Sequence, residues 1–303
     1  MAGQRLKQPQ FMGEQIGMSD YLLETKLSEE NADLHRRTKD CAAVLQKMLE
    51  SFLPRFPDFT DHTILHSMDV LEYSNMLLGE EQIERLSAAE CYVLIMSCYL
   101  HDIGMGIDQK NYEELSAQID FGDYFSTHSH EDTERIIREF HNDFSALFIR
   151  KYAELFDIPC EEMVFAIAQV SRGHRKTDLL DEQGYPVLTS PYGIIRTAFL
   201  AAVIRLADEI DIGVDRNSEL LFDSSKVHDK NCIEAFGMHE SIRRVEVRQD
   251  TIVLYTKPKA PEYRELIRNL ANKVQQTLDY CREVASSRSD FSITQSTVKI
   301  IEI

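Results

Sequence analysis

"CYVLIMSCYLHDIG" (residues 91–104) is almost uniformly apolar until its last four residues, where a histidine and an aspartate stand together before a glycine. A helix that is apolar on all sides belongs in the interior of a protein. The stretch "SAAE" at 87–90, immediately before it, is a capping box that marks where such a helix starts. The segment therefore predicts a helix at the centre of a helical core, with His101 and Asp102 on its last turn. Ionisable groups at that depth are costly when unpaired. They are either the polar end of a buried helix or one corner of a metal site, and the rest of the chain has to decide which.

Working outward, "SEENADLHRRTKDCAAVLQKMLESFL" opens with a capping serine and carries Leu34, Ala42, Leu45, Met48 and Leu49 at helical spacing. "HTILHSMDVLEYSNMLL" predicts a second helix that stops at Gly79, a residue suited to a helix C-cap. Residues 104–127 read as loop, and "HEDTERIIREFHNDFSALFIRKYAELF" as a single helix. "PCEEMVFAIAQVSRGH" starts at Pro159 and ends near Gly173, "LLDEQGYPVLTSPYG" reads as a linker, and "IIRTAFLAAVIRLADEIDI" is another buried helix.

After about residue 212 the texture changes. "RRVEVRQDTIVLYTK" alternates about Gln249-Asp250 as a β-hairpin does, and "FSITQSTVKIIEI" reads as a further strand. "EYRELIRNLANKVQQTLDYCREV" between them is an amphipathic helix. The expected fold is mainly α: an N-terminal arm (1–27), a helical domain (28–215) and a small C-terminal α+β appendage (216–303).

With 33 Lys and Arg against 51 Asp and Glu, the 303-residue chain has a formal charge of -18. That charge repels phosphate backbones and anionic membranes, so no binding to long nucleic acid or to membrane is expected and any nucleotide site must be local. The six cysteines show no CxxC pair, and no stretch has the length of a signal-peptide core or a membrane span. The expectation is a cytoplasmic protein with reduced thiols.

His62 and His66 lie four apart, on one helix face, His101 and Asp102 end the central helix, and Asp208 is near the end of "RLADEIDI". A shared metal would remove the cost of burying these groups together. "HSMDV" from His66, "YLHDIG" with His101-Asp102 and "RLADEIDI" with Asp208 resemble, in order, the three signature segments of the HD superfamily of metal-dependent phosphohydrolases, over roughly residues 55–215. The resemblance implies a helical HD bundle in which His66, His101, Asp102 and Asp208 bind a divalent ion (Mn, Mg, Fe or Ni), with Asp102 also catalytic. A finer likeness, through "TDHTILHS" and "RLADEIDI", is to HD domains of effectors in prokaryotic conflict systems, which implies antiviral defence. Those proteins often carry an ATPase domain, and none is visible here.

"HSHEDTERII" is similar to segments that donate a second-metal ligand in binuclear HD enzymes. The likeness implies His130 as ligand or proton donor, with His128 and Glu131 behind it; His62, one turn before His66, reaches the same pocket and reads as a support of the ligands. His174 in "SRGHRK" stands where a second-metal or catalytic imidazole is expected. Arg172, Arg175 and Lys176 around it are the groups a bound phosphate needs, or else a solvated basic turn. His35, His141, His228 and His239 fall outside these segments and read as structural or exposed. Many deoxynucleotide triphosphohydrolases place a further His, and cyclic dinucleotide diesterases a Lys, where this chain has Met105, so neither subtype is endorsed.

The reading is a phosphohydrolase acting on a nucleotide, using one or two ions to activate water, with a phosphodiester or phosphomonoester favoured. The alternatives are a deoxynucleoside triphosphate triphosphohydrolase and a catalytically silent nucleotide sensor. A homo-oligomer or a partner protein would be met through the C-terminal appendage.

Overall fold

From Ala89 to Leu100 every residue of the central helix is buried, as its apolar run requires. The computed structural model describes residues 21–49, 64–128, 132–212, 237, 238 and 240–303. In chain order the helices are α1 (Leu22–Glu30), α2 (Ala32–Leu49), α3 (Ile64–Arg85), α4 (Ala88–Leu100), α5 (Gln109–Ser116), α6 (Tyr124–Thr127), α7 (Thr133–Glu139), α8 (His141–Lys151), α9 (Glu161–Arg172), α10 (Thr197–Ile210) and α11 (Pro261–Arg288). A 3₁₀ turn at Ile103–Gly106 follows α4. Strands β1 (Val187–Ser190) and β2 (Gly193–Arg196) form an antiparallel hairpin. In the second sheet β3 (Ile242–Val247) pairs antiparallel with β4 (Thr251–Thr256), and β4 pairs parallel with β5 (Thr297–Glu302).

Helices α1, α2, α3, α9 and α10 surround α4. The capping box at its start is formed: Glu90 N–H donates to Ser87 Oγ at 3.1 Å, and Ser87 N–H to Glu90 Oε2 at 3.0 Å. The fully buried Glu90 also accepts from Arg196 Nη1 at 2.8 Å and from the Arg196 backbone N–H at 3.1 Å. That ion pair ties the start of α4 to the start of α10. Removing the arginine would leave a buried charge, at a cost of about 3–5 kcal/mol.

A parallel pair of strands needs a long crossover, and α11 supplies it between β4 and β5. Its apolar stripe, Ile267, Ala271, Val274, Leu278 and Cys281, is buried, and the helix packs on α10 as well as on β5. A helical bundle with a small C-terminal sheet is thus the architecture, as the pattern of the sequence predicts. Among the described residues no helix is long and apolar enough to cross a membrane. Of the six cysteines, the five that lie among the described residues are free.

Several local readings change. Helical structure begins at Leu22, inside the stretch read as an arm, because Leu23 and Leu27 are fully buried in the core. The stretch read as a linker contains β1, β2 takes up Ile194–Arg196 at the start of the stretch read as a buried helix, and the stretch read as loop contains α5 and α6. Gly79 does break α3, at φ 65° and ψ 172°, but helix resumes as far as Arg85. Residues read as one helix after 130 divide at Phe140, whose φ of -111° and ψ of 18° lie outside the helical range, into α7 and α8. That break turns out to matter for the site.

Candidate metal centre

Helix ends converge in one buried place. His66 comes from the first turn of α3, His101 from the end of α4, His141 from the start of α8, His174 from the turn after α9 and Asp208 from the last turn of α10. Asp102 follows His101. The four imidazoles are at most 5% exposed and Asp102 is 7% exposed, so none of them relies on water for its partners.

The orientation of the rings has a local cause. The last carbonyls of a helix have no partner within it, and three of the histidines sit three residues beyond such a carbonyl. His101 Nδ1 lies 2.9 Å from Cys98 O, His141 Nδ1 2.6 Å from Arg138 O and His174 Nδ1 2.6 Å from Ser171 O. A carbonyl can only accept, so each Nδ1 carries a proton, and a ring in the neutral form then presents a bare Nε2. His66 reaches the same state through a carboxylate, with its Nδ1 2.6 Å from Asp211 Oδ2.

The bare nitrogens point at one another. His66 Nε2 is 3.1 Å from His101 Nε2, and His141 Nε2 is 2.9 Å from His174 Nε2. Asp102 stands between the pairs: its Oδ2 is 3.5 Å from both His66 and His101 Nε2, and its Oδ1 is 3.2 Å from His141 Nε2 and 3.5 Å from His174 Nε2. Asp208 Oδ1 lies 3.4 Å from His66 Nε2. Burial pushes the His101 and His174 imidazoles below their usual range, despite the opposing pull of Asp102 and Asp208.

Facing lone pairs repel unless a cation lies between them. The donors fall into two groups able to hold a metal ion, His66–His101–Asp208 and Asp102–His141–His174. Nitrogen and carboxylate oxygen in this mixture suit a divalent ion of borderline to hard character. The hydrogen bonds on the far side of each ring are the outer-shell supports that such ligands need. The residues present fit the group that the HD resemblance implies.

Gly104 explains how α8 comes close enough to contribute. A Cβ there would overlap the carbonyl oxygen of His141 and the backbone nitrogen of Ser145. The Gly104 N–H instead donates to Ser145 Oγ at 2.9 Å. The glycine that ends the "HDIG" stretch is thus the surface against which the His141 backbone rests.

Of the residues singled out in the sequence, the structure brings His66, His101, Asp102, Asp208 and His174 together. His62, His130 and Glu131 lie outside the described residues. His128 is exposed, stacked on Tyr124 at 4.4 Å and hydrogen-bonded to Thr127 Oγ1 at 2.8 Å, and it belongs to neither group of donors. Arg172 is paired with Asp143 at 2.5 Å, Lys176 is 84% exposed and 3.7 Å from Glu139, and Arg175 is half-buried. All three line a cleft of about 450 Å³, together with Phe140, Asn142 and Tyr185.

Two residues of the cluster escape the sequence reading. His141 reads from the sequence as structural or exposed, because it falls outside the motif segments; the break at Phe140 makes it a helix start, and its side chain is buried. Asp211 lies three residues after Asp208 in the same motif segment, and that proximity is the signal that could have found it.

A helical body that gathers histidine and aspartate side chains from its helix ends into a buried donor cluster is the arrangement of an HD-type metal-binding domain. A match to the HD-CE family extends over residues 56–287, and the chain belongs to that family. No curated protein matches the chain.

Proposed function

We propose that the protein is a metal-dependent phosphohydrolase acting on a nucleotide phosphoester, with a phosphodiester or phosphomonoester as the substrate class. The observation that carries the reading is the convergence of four bare Nε2 atoms on Asp102, each ring locked by a hydrogen bond at Nδ1. Divalent ions in such a site supply Lewis acidity towards a phosphoryl oxygen and lower the pKa of water.

The residues of the chain divide the remaining work. His66, His101 and Asp208 would hold one ion and His141 and His174 the other, with an oxygen of Asp102 turned to each group. The Cys98, Arg138 and Ser171 carbonyls and the Asp211 carboxylate keep each ring proton at Nδ1, so that no ligand needs to lose a proton or turn when metal binds. The cleft bearing Arg175, the residue after His174, would supply positive charge for a phosphate. With His174 in the donor set, its Nε2 is not also a proton donor to the leaving oxygen.

The motif likeness to conflict-system effectors supports a further proposal, that this hydrolysis serves antiviral defence. Phage plating on cells expressing the wild type or Asp102→Ala tests that role.

The chemistry is tested by metal analysis of the purified protein, together with a panel of nucleotide mono-, di- and triphosphates and cyclic and linear diesters incubated with Mn or Mg. Bound divalent metal and release of phosphate or a nucleoside monophosphate are expected. Metal without turnover of any phosphoester would return the protein to the class of nucleotide sensors, and release of triphosphate would make it a triphosphohydrolase.

A further inference from the structure

The cleft lined by the chain neighbours of His141 (Phe140 and Asn142) and of His174 (Arg175) carries information about its ligand that the donor cluster does not. Its walls hold three cations, Arg172, Arg175 and Lys176, and four carboxylates, Glu139, Asp143, Asp178 and Asp181. Two of the cations are already engaged: Arg172 Nε with Asp143 at 2.5 Å and Lys176 Nζ with Glu139 at 3.7 Å. The Arg175 guanidinium makes no hydrogen bond or ion pair among the described residues. The nearby carboxylate that feels its charge, Glu209, is itself paired with Lys273 at 2.9 Å. Among the described residues the cleft therefore offers one uncommitted cation between acidic walls. That suits one phosphate group and opposes the several charges of a triphosphate.

A second feature lies on the same cleft. Phe140, half-buried in its lining, is the residue at which α7 and α8 part, immediately before His141. Two other rings hold it edge-on: Phe121 at a centroid distance of 4.9 Å and 80°, and Tyr124 at 5.1 Å and 87°. Edge-to-face contacts of this kind are favourable and directional. They fix the Phe140 ring while leaving it on the wall of a cavity whose volume is ordinary for a small-molecule site. A fixed aromatic ring next to a lone cation is the pairing that recognises a flat ring carrying a phosphate, since a ring gains by stacking whatever its hydrogen-bond pattern.

We infer that the cleft binds a nucleobase on Phe140 while Arg175 takes one phosphate of the same ligand, so that a nucleoside monophosphate unit is preferred over a nucleoside triphosphate. This rests on the phosphohydrolase reading for its chemistry but not for its binding, and the two fail separately. The base is selected by stacking, and the phosphate is taken by the guanidinium of the residue that follows His174.

The test is calorimetric titration of the full Mn-loaded protein with AMP, GMP, ribose 5-phosphate, inorganic phosphate and ATP. Both nucleoside monophosphates are expected to bind about tenfold or more tightly than ribose 5-phosphate, and more tightly than ATP. Phe140→Ala should erase the advantage over ribose 5-phosphate, Phe140→Trp should retain it, and Arg175→Ala should weaken all the phosphates alike, with metal content unchanged. Equal binding of ribose 5-phosphate and AMP to the wild type would overturn the base site, and ATP binding tighter than AMP would overturn the single-phosphate site. Should Phe140→Ala lose metal or fold, the wild-type comparison and Phe140→Trp decide between retention and loss of the base site. Ring-selective binding without turnover of any phosphoester would sink the hydrolase reading alone; turnover without ring selectivity would sink this inference alone.

Discussion

The two halves of the donor cluster are built differently. His66, His101 and Asp208 come from three helices that pack directly on one another, α3, α4 and α10, and each residue lies in a recognisable motif. The other half takes His141 from the start of α8 and His174 from a turn beyond α9, with Asp102 from the end of α4. Its geometry rests on a helix break at Phe140 and on a glycine contact at Gly104, both features of tertiary packing. Both halves use helix ends, but the first takes them from helices packed directly on one another and the second from a helix break and a turn. Ligands on helix ends have the advantage of free carbonyls to orient them; ligands held by loop packing depend on small residues staying small.

That contrast is most severely tested at the residue the halves share. Asp102→Ala should remove metal from both groups and with it all hydrolysis, while far-ultraviolet circular dichroism keeps its helical signal. A variant with the metal content of the wild type would mean that Asp102 is no ligand to either half.

His141→Ala and His66→Ala separate the halves. Each should lower the metal content from two ions per chain to one, with His141→Ala leaving the ion of the other half in place. Elemental analysis against protein concentration gives the count. If His141→Ala leaves stoichiometry untouched, the second half is a hydrogen-bonded histidine pair and not a site.

Asp211→Asn should act on the first half alone, because Asp211 holds the His66 ring through Nδ1 at 2.6 Å. Loss of an outer-shell carboxylate typically costs about 10–100-fold in metal affinity. Competition with a chelator reads this directly, and an affinity equal to that of wild type would make Asp211 a structural partner only.

The smallest effect is on the stability of metal-free protein. Burial lowers the His101 and His174 imidazoles in the fold from their ordinary value of 6.5, so in acid the unfolded chain takes up protons before the folded one. The contribution to stability is full above about pH 6.5 and is lost as pH falls through the lowered folded values. The melting temperature of chelator-treated protein should therefore drop between pH 7 and pH 5, and bound metal should flatten the first part of that fall. A pH-independent melting temperature would show that these rings are no more buried than in the unfolded chain.

How much of this is legible in the sequence follows from the kind of signal each element carries. The central helix is visible because an all-apolar run has one place to go, and its start because the Ser87–Glu90 box is local chemistry within four residues. His66, His101, Asp102 and Asp208 are visible because their neighbours form ordered motifs. Helix α1 is hidden because its four buried residues include Glu24 and Lys26, which mask the apolar stripe.

The sequence by itself determines the helical class, the strand pattern after residue 240 and the motif half of the site, since periodicity, caps and adjacent pairs act over a single turn or a single strand. Only the tertiary structure decides that His141 belongs with His174 and that Asp211 holds His66. Those contacts span 33 and 145 residues of chain, and no local preference of either partner encodes them. The first forms because packing against Gly104 and the free carbonyls of α7 and α9 give His141 and His174 one acceptor each for their protons, and the second because α3 and α10 pack on each other and bring Asp211 to the His66 ring.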